Sequence, residues 1–149
     1  LNGDMSIWKT EVTPERLIQH TQETMLHHLG IEFVEVGADF LRARMPVDHR
    51  TKQPYGIMHG GASCVLAETV ASVAAGLCID NQTQVVVGVE INTSHIRSIK
   101  GGWVIGTAKP LHLGRTTQLW EIAIENEKGQ LISMSRLRLA VLDKKLSGI

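Results

Sequence analysis

The sequence contains few cysteines, and none that are placed to pair. Cys64 and Cys78 are the two cysteines among 149 residues, and both fall in one segment of helical composition. A helix rises ~1.5 Å per residue, so the two lie about 21 Å apart, which is too far for a disulfide. The sequence therefore predicts two free thiols, a usage typical of a reducing compartment.

An excess of either charge is also lacking. Lys and Arg together number 15, as do Asp and Glu, so no global field attracts nucleic acid or an anionic membrane. No uncharged apolar run approaches the ~18 residues of a membrane span, and the N-terminus lacks the layout of a signal peptide. We therefore expect a soluble, cytoplasmic protein that binds neither nucleic acid nor membrane.

Metal-ligand spacing and a serine nucleophile elbow are missing as well. His59, His95, His112 and Glu68 fit no zinc pattern, and no Gly-x-Ser-x-Gly occurs. We expect no metal or other cofactor, and no ordinary serine esterase.

The length and the patterning predict one domain. With 43% hydrophobic residues, the chain can build a single core, and it has no repeat or linker. Residues 1–6 carry no periodic pattern and are predicted to be a disordered extension. Residues 7–149 are predicted to form the domain.

The order of elements predicts an α+β fold. Thr13-Pro14-Glu15 has the composition of a helix start, and helical spacing continues to Gly30. From Ile31 the period changes to two, which predicts a β-hairpin. Residues 61–79 are apolar on nearly every face and predict a helix buried all round by a sheet. Strand-like segments follow at 85–93, 103–108, 116–125 and 131–142, which favours a curved antiparallel sheet around one long helix.

Glu68 is the single charge in that apolar helix. An ionised carboxylate there loses solvation unless partners or a cavity compensate, which makes Glu68 a candidate catalytic residue. The alternative is a structural carboxylate that reaches a solvent gap or pairs with an arginine. Ser72 shares its helical face and is placed to assist the carboxylate or a water, or else to bond to its own helix.

Residues 53–61 form the second candidate feature, at the entry to the same helix. Gly60 and Gly61 allow a close approach to N–H groups that have no acceptor in the helix, as an oxyanion site requires. Gln53 can add a side-chain donor, and His59 can contact a leaving sulfur. The alternative is that the two glycines only make a tight turn.

Gly60 and Glu68 are too far apart to act on one carbonyl group from a single chain. Eight residues of helix span about 12 Å. Two copies with antiparallel helices would bring Gly60 of one chain near Glu68 of the other. We therefore predict a homodimer with shared active sites.

A stretch without acids follows the helix. The thirty residues between Glu90 and Glu121 contain no Asp or Glu but carry four cations and two histidines. Such a field suits the phosphates of a nucleotide-bearing carrier, although a basic, solvated face is the alternative.

With these residues in place, the chain resembles the hot-dog thioesterases of the phenylacetate-operon type. Within them it is most similar to the branch that hydrolyses 1,4-dihydroxy-2-naphthoyl-CoA and related aryl-CoA esters. The likeness runs over residues 7–142 and rests on His59-Gly60-Gly61-Ala62-Ser63, Ala67-Glu68-Thr69, Gln53-Pro54, Val87-Gly88, Asn92 and Pro110-Leu111-His112-Leu113-Gly114-Arg115. One departure is Ile96-Arg97-Ser98, where a more polar residue and a proline are expected.

The resemblance implies a role for each matching position. Glu68 attacks the thioester or activates water, the Gly60 N–H binds the carbonyl oxygen, Gln53 and His59 act on the carbonyl and thiol sides, and Ser72 assists. Coenzyme A contacts are implied at Gly88, His95, Ile96, Arg97, Ser98, His112, Leu113, Gly114, Arg115, Thr116 and Thr117. The resemblance also implies a tetramer built from two dimers and an acyl-CoA substrate.

Two alternative functions remain open from the sequence. One is dehydration of a 3-hydroxyacyl thioester on the same fold, although the histidine directly before Gly-Gly is typical of the thioesterase version. The other is an acyl-CoA binding module that does not turn its ligand over.

Overall fold

The structure is a computed structural model that describes residues 5–149. Residues 1–4 lie outside the described residues, and with them most of the predicted N-terminal extension. The division into an extension and a domain that begins at residue 7 stays a prediction.

The N-terminal region contains two short helices where the sequence predicted one. Helix α1 spans Pro14–Ile18 and helix α2 spans Met25–Leu29. Thr13 caps α1 by accepting the Arg16 N–H at 3.4 Å, and Gly30 ends α2 with φ of 71°, as predicted. The continuous helix is wrong because Glu23, between them, has a φ of 60° and turns the chain.

Six strands and one long helix form the rest of the fold, with a last single turn of helix. The elements are β1 Glu32–Val36, β2 Leu41–Pro46, α3 Gly60–Leu77, β3 Gln84–His95, β4 Trp103–Leu113, β5 Thr117–Asn126, β6 Leu131–Asp143 and α4 Lys144–Ser147. The sheet order is β1-β2-β4-β5-β6-β3, and all neighbours are antiparallel. The predicted α+β architecture, hairpin included, is confirmed.

The core lies between α3 and the sheet. Alternate residues of β5 and β6 point inward, and Trp120, Ile122, Leu137 and Leu139 are fully buried there beside Leu66 of the helix. Burying one such side chain contributes about 1.5–3 kcal/mol. This packing fixes α3 along the sheet and so fixes the position of every residue on it.

The sheet covers only one side of α3. The buried residues are those of that side: Ala62, Ser63, Leu66, Ala67, Val70, Ala71, Ala74 and Ala75. Val65, Thr69 and Val73 on the other side are only partly buried, and Glu68 is exposed. The prediction of a helix buried all round is therefore wrong for the single chain, because six strands wrap one face and leave the opposite face uncovered.

By length and composition, α3 is also apolar enough to cross a membrane. Its mean hydropathy is 1.4 over 18 residues, and no other helix within residues 5–149 has this property. Packing on the sheet buries 44% of the segment, which accounts for much of its apolar composition.

Candidate active site

Gln53 is presented by a tight turn before α3. The Gln53 N–H donates to Ile57 O at 2.9 Å, and the Gly56 N–H donates to Gln53 O at 2.9 Å, with Gly56 at a φ of 80°. The Tyr55 N–H donates to Oε1 of the Gln53 side chain. Because the carbonyl oxygen of this amide is engaged, its Nε2 hydrogens are the groups that can donate to a ligand.

His59 caps the N-terminus of α3. The Gly61 N–H donates to His59 Nδ1 at 2.8 Å. A ring nitrogen that accepts a hydrogen bond is unprotonated, so the neutral ring carries its proton on Nε2. His59 is otherwise exposed, and Nε2 is the side of the ring that can donate to a ligand.

Gly60 is the first residue of α3, and its N–H has no acceptor within the helix. A Cβ at this position would lie 2.9 Å from Nε2 of His95, so the His95 imidazole packs directly against the helix start. The sequence assigned His95 only to coenzyme A. In the structure it stands beside the predicted oxyanion donor.

A pocket of about 320 Å³ lies at the start of α3, and His59 is not among the residues that line it. Gln53, Gly60 and the residues from His95 to Ser98 line it, so both catalytic and coenzyme A candidates meet there. Its apolar walls are Ile57, Met58, Ile99 and Ile132. These residues could not be predicted from the sequence, because aliphatic residues in those segments are indistinguishable from core residues. Ser63, also missed, lies at the pocket with 1% exposure.

Glu68 lies on the uncovered face of α3. Its side chain forms no ion pair or hydrogen bond with any other described residue, so the structural ion pair considered from the sequence is not formed. Ser72 is half-buried one turn further on, and no hydrogen bond joins it to Glu68 within residues 5–149. A Cβ added to Gly88 would lie only 2.6 Å from one carboxylate oxygen of Glu68.

The single chain does not bring Glu68 to the pocket. Glu68 is not among the residues that line it, as expected for two positions about 12 Å apart along one helix. The predicted oxyanion donors and the predicted catalytic carboxylate therefore lie in two separate places on the chain.

The second group of predicted coenzyme A contacts lies elsewhere. Leu113, Gly114 and Arg115 line a pocket of about 400 Å³, together with Lys9 and Cys78, which follows the C-terminal end of α3. His112 packs against Gly114, and Thr116 borders a neighbouring pocket with Arg115. The structure thus separates residues 112–117 from residues 95–98 within one chain.

Two side chains near these pockets and the loop before α3 have displaced pKa values. Burial raises the pKa of the Cys78 thiol to about 11, so at neutral pH it is a protonated thiol and not a nucleophile. The Arg50 side chain and backbone N–H hold the pKa of the Asp48 carboxyl at about 2, in the loop that leads to Gln53. Among residues 5–149, no three His, Cys, Asp or Glu side chains cluster as metal ligands.

Comparison with known proteins points to one family. The family model of the thioesterase superfamily matches residues 55–133. The 1,4-dihydroxy-2-naphthoyl-CoA hydrolase of Escherichia coli (strain K12) is 52% identical over 91% of this chain and 99% of its own length. The proofreading thioesterase EntH of Cronobacter turicensis is 49% identical over 91% of this chain and 98% of its own.

Solved structures agree with these sequence matches. A thioesterase from Haemophilus influenzae has a TM-score of 0.89 at 44% identity, covering 92% of this chain and 95% of that one. A mutant thioesterase from Pseudomonas aeruginosa has a TM-score of 0.91 at 39% identity, covering 93% and 99%.

Proposed function

The chain belongs to the thioesterase superfamily and is a thioester hydrolase of the hot-dog fold, and from this premise we propose that it hydrolyses aryl-CoA or related acyl-CoA thioesters to the free acid and coenzyme A. Glu68 is the reacting carboxylate. The observation that carries the proposal is an exposed, unpaired acid on an otherwise apolar helix of a thioesterase, with a separate set of hydrogen-bond donors at the start of that helix.

The donors act on the thioester carbonyl. Gln53 Nε2 and the Gly60 N–H bind the carbonyl oxygen and stabilise the negative charge that develops on it. Since Tyr55 holds the Gln53 carbonyl and the helix leaves the Gly60 N–H unused, both donors are oriented before substrate arrives. His59 Nε2–H donates to the sulfur of the departing thiolate.

Two routes use the same Glu68 carboxylate. As a general base, it takes a proton from water, and the hydroxide adds to the carbonyl carbon before the C–S bond breaks. As a nucleophile, it adds to that carbon itself, the thiolate leaves, and water cleaves the resulting anhydride. Ser72 assists the carboxylate or the water. A single turnover in ¹⁸O-labelled water separates the routes, because only the anhydride route leaves label in Glu68.

Each site combines two chains. Two α3 helices that pack antiparallel bring Gly60 of one protomer to Glu68 of its partner. The uncovered face of α3, with its apolar Val65 and Val73, and the edge strand β3, with Val89 58% exposed, are the surfaces that such a dimer would cover. Two dimers then assemble into a tetramer, as the family resemblance implies.

Coenzyme A is bound through the acid-free stretch. Arg97 at the first pocket and Arg115 at the second are exposed, and neither forms an ion pair with an acid among residues 5–149. An exposed guanidinium group that is not paired with an acid is suited to bind a phosphate. The reaction needs no further cofactor or metal. We also propose a cytoplasmic location, since both cysteines are free thiols and free thiols are typical of a reducing compartment.

Replacement of Glu68 tests the proposal. With benzoyl-CoA and a thiol reagent, Glu68→Gln should lower kcat by roughly 10²–10⁴-fold, because the amide has lost its basicity and charge but almost none of its volume. Binding of coenzyme A should stay unchanged. Glu125→Gln, at an exposed acid on β5, is the control and should keep full activity. Wild-type turnover by Glu68→Gln would refute the assignment.

Assays with benzoyl-CoA and with crotonyl-CoA separate the two alternative functions. A binding module would take up benzoyl-CoA without releasing thiol. A dehydratase would hydrate crotonyl-CoA in place of releasing coenzyme A.

A further inference from the structure

Gly88 lies on β3 directly against the Glu68 carboxylate. A Cβ added to Gly88 would be 2.6 Å from Oε1 of Glu68 and 3.7 Å from its carboxyl carbon. The Gly88 φ does not lie in the left-handed region, so the backbone conformation does not require glycine. A side chain at this position would therefore have to push the Glu68 carboxylate away from where it lies.

The carboxylate is the one close neighbour that a Cβ on Gly88 would meet. The same Cβ would be 3.8 Å from Cδ1 of Leu137, a fully buried residue on the neighbouring strand β6, which is an ordinary van der Waals contact. A register shift between Gly88 and Glu90 adds an extra residue, Val89, on the edge strand. Next to this bulge, the Glu68 carboxylate occupies the space that a side chain on Gly88 would take, and this space is called the recess here.

No donor in the described chain holds the carboxylate in this position. Hydrogen bonds to an ionised carboxylate stabilise the charged form and so weaken it as a base or nucleophile. A carboxylate that is located by shape keeps its lone pairs for water or thioester. The recess thus gives the Glu68 carboxylate a defined position without hydrogen bonds that would weaken it as a base or nucleophile.

We propose that Gly88 is a positioning residue for the proposed reaction: its missing side chain creates the recess that sets the reactive position of the Glu68 carboxylate. This inference rests on the proposed function, and it gives Gly88 a role other than the coenzyme A contact implied by family resemblance. The two roles predict different kinetics, since a contact to coenzyme A acts mainly on KM and a displaced carboxylate acts on kcat.

Gly88→Ala is the direct test. A carbon and an oxygen in contact stand about 3.3–3.6 Å apart, so the new methyl group must displace the carboxylate oxygen by roughly 1 Å. A displacement of that size is expected to lower kcat by about 10²-fold, with KM and inhibition by coenzyme A little changed. Gly101→Ala is the matched control, because a Cβ at Gly101 meets nothing within 4 Å, and its kinetics should equal those of the wild type.

A shorter acid should remove the effect. In Glu68→Asp the carboxylate is withdrawn by one methylene group, so adding Gly88→Ala to this variant should cost little further activity. A loss as large as in the Glu68 background, or a rise in KM with kcat unchanged, would overturn the inference.

A spectroscopic measurement tests the recess without relying on turnover. In protein labelled with ¹⁵N and ¹³Cα at glycine, the Gly88 signals should shift as the Glu68 carboxylate is protonated, while those of Gly101 stay still. The shift should vanish in Glu68→Gln. Gly88 signals that do not respond to Glu68 would refute the recess itself. An active Glu68→Gln enzyme would instead refute the proposed function, and with it the catalytic role of Gly88, while the contact between the two residues would stand.

Discussion

His59 has two roles that belong to different nitrogens of one ring. Nδ1 accepts the Gly61 N–H and caps α3, while Nε2 is the nitrogen that we propose to donate to the leaving sulfur. The family resemblance implied only the second role. The cap could not be deduced from the sequence, because His is not among the residues that usually occupy the N-cap position.

Two substitutions separate these roles. His59→Ala should lower both kcat and the free energy of unfolding, the latter by about 1 kcal/mol, because the cap is lost. His59→Asn should restore stability, since Asn is a strong N-cap residue, but should leave kcat low because the Nε2 donor is gone. Steady-state kinetics and urea unfolding of the two variants measure these effects. Equal stability of all three proteins would contradict the capping role.

At the scale of single residues, the sequence revealed the groups that are chemically unusual in their own segment. Glu68 was conspicuous as one charge in an apolar helix, and Gly60 as a glycine at a helix start. Gly88 as the neighbour of Glu68, and His95 as the neighbour of Gly60, depend on contacts across elements. No local pattern encodes those contacts, so they could not be predicted.

The loop between β2 and α3 is fixed by a short network before it reaches Gln53. Asp48 accepts the Arg50 backbone N–H at 2.9 Å and pairs with its guanidinium group at 2.7 Å. Thr51 Oγ1 donates to Pro46 O at 2.7 Å. Arg50 also packs over Gly30, so the loop is tied to the end of α2.

The Asp48 interaction should make stability depend on pH in the acid range. Its pKa is lowered from 3.8 to about 2 in the folded protein, so the stabilisation is complete above the unfolded value and is lost as the pH falls through about 2. Compared with Asp48→Asn, the wild type should be more stable at pH 6 by at most about 1 kcal/mol, because the pair is partly exposed.

Urea unfolding between pH 2 and pH 6 measures this difference. The gap between wild type and Asp48→Asn should be constant above about pH 5 and shrink below it. Asp39→Asn, at an exposed acid outside the ion pairs, controls for the general loss of charge. A gap that does not change with pH would contradict the role of the Asp48 charge.

At the scale of elements, the spacing of apolar residues and the positions of turn residues predicted the strands well and the N-terminal helices less well. The glycine-rich turns at residues 100–102 and 127–129 separate strands where expected, with Gly102 and Gly129 at positive φ. The break between α1 and α2 occurs at Glu23, in a Thr-Gln-Glu segment without glycine or proline. Such a segment carries no local signal for a turn, so the prediction continued one helix through it.

At the scale of the whole molecule, the proposed site is divided between two places on the chain. The half at Gly60 has the donors and the pocket, and the half at Glu68 has the carboxylate and the Gly88 recess. The rise of an α-helix predicted this separation, because Gly60 and Glu68, about 12 Å apart along one helix, cannot both reach one carbonyl group. The uncovered face of α3 was not predicted, because the sequence of an apolar helix is the same whether a sheet or a second helix covers that face.

Coexpression of two inactive subunits tests the shared site most directly. One carries Glu68→Ala. The other carries Gly60→Pro, which removes the N–H at the first position of the helix, where proline is tolerated. Gly60→Ala serves as the control for the added Cβ, which also meets His95.

Equal coexpression should give mixed dimers in about half of the population, each with one intact site out of two. We expect about one quarter of wild-type activity from a mixture whose parents are each inactive. Activity no greater than the sum of the two parents would contradict a site built from Gly60 of one protomer and Glu68 of its partner.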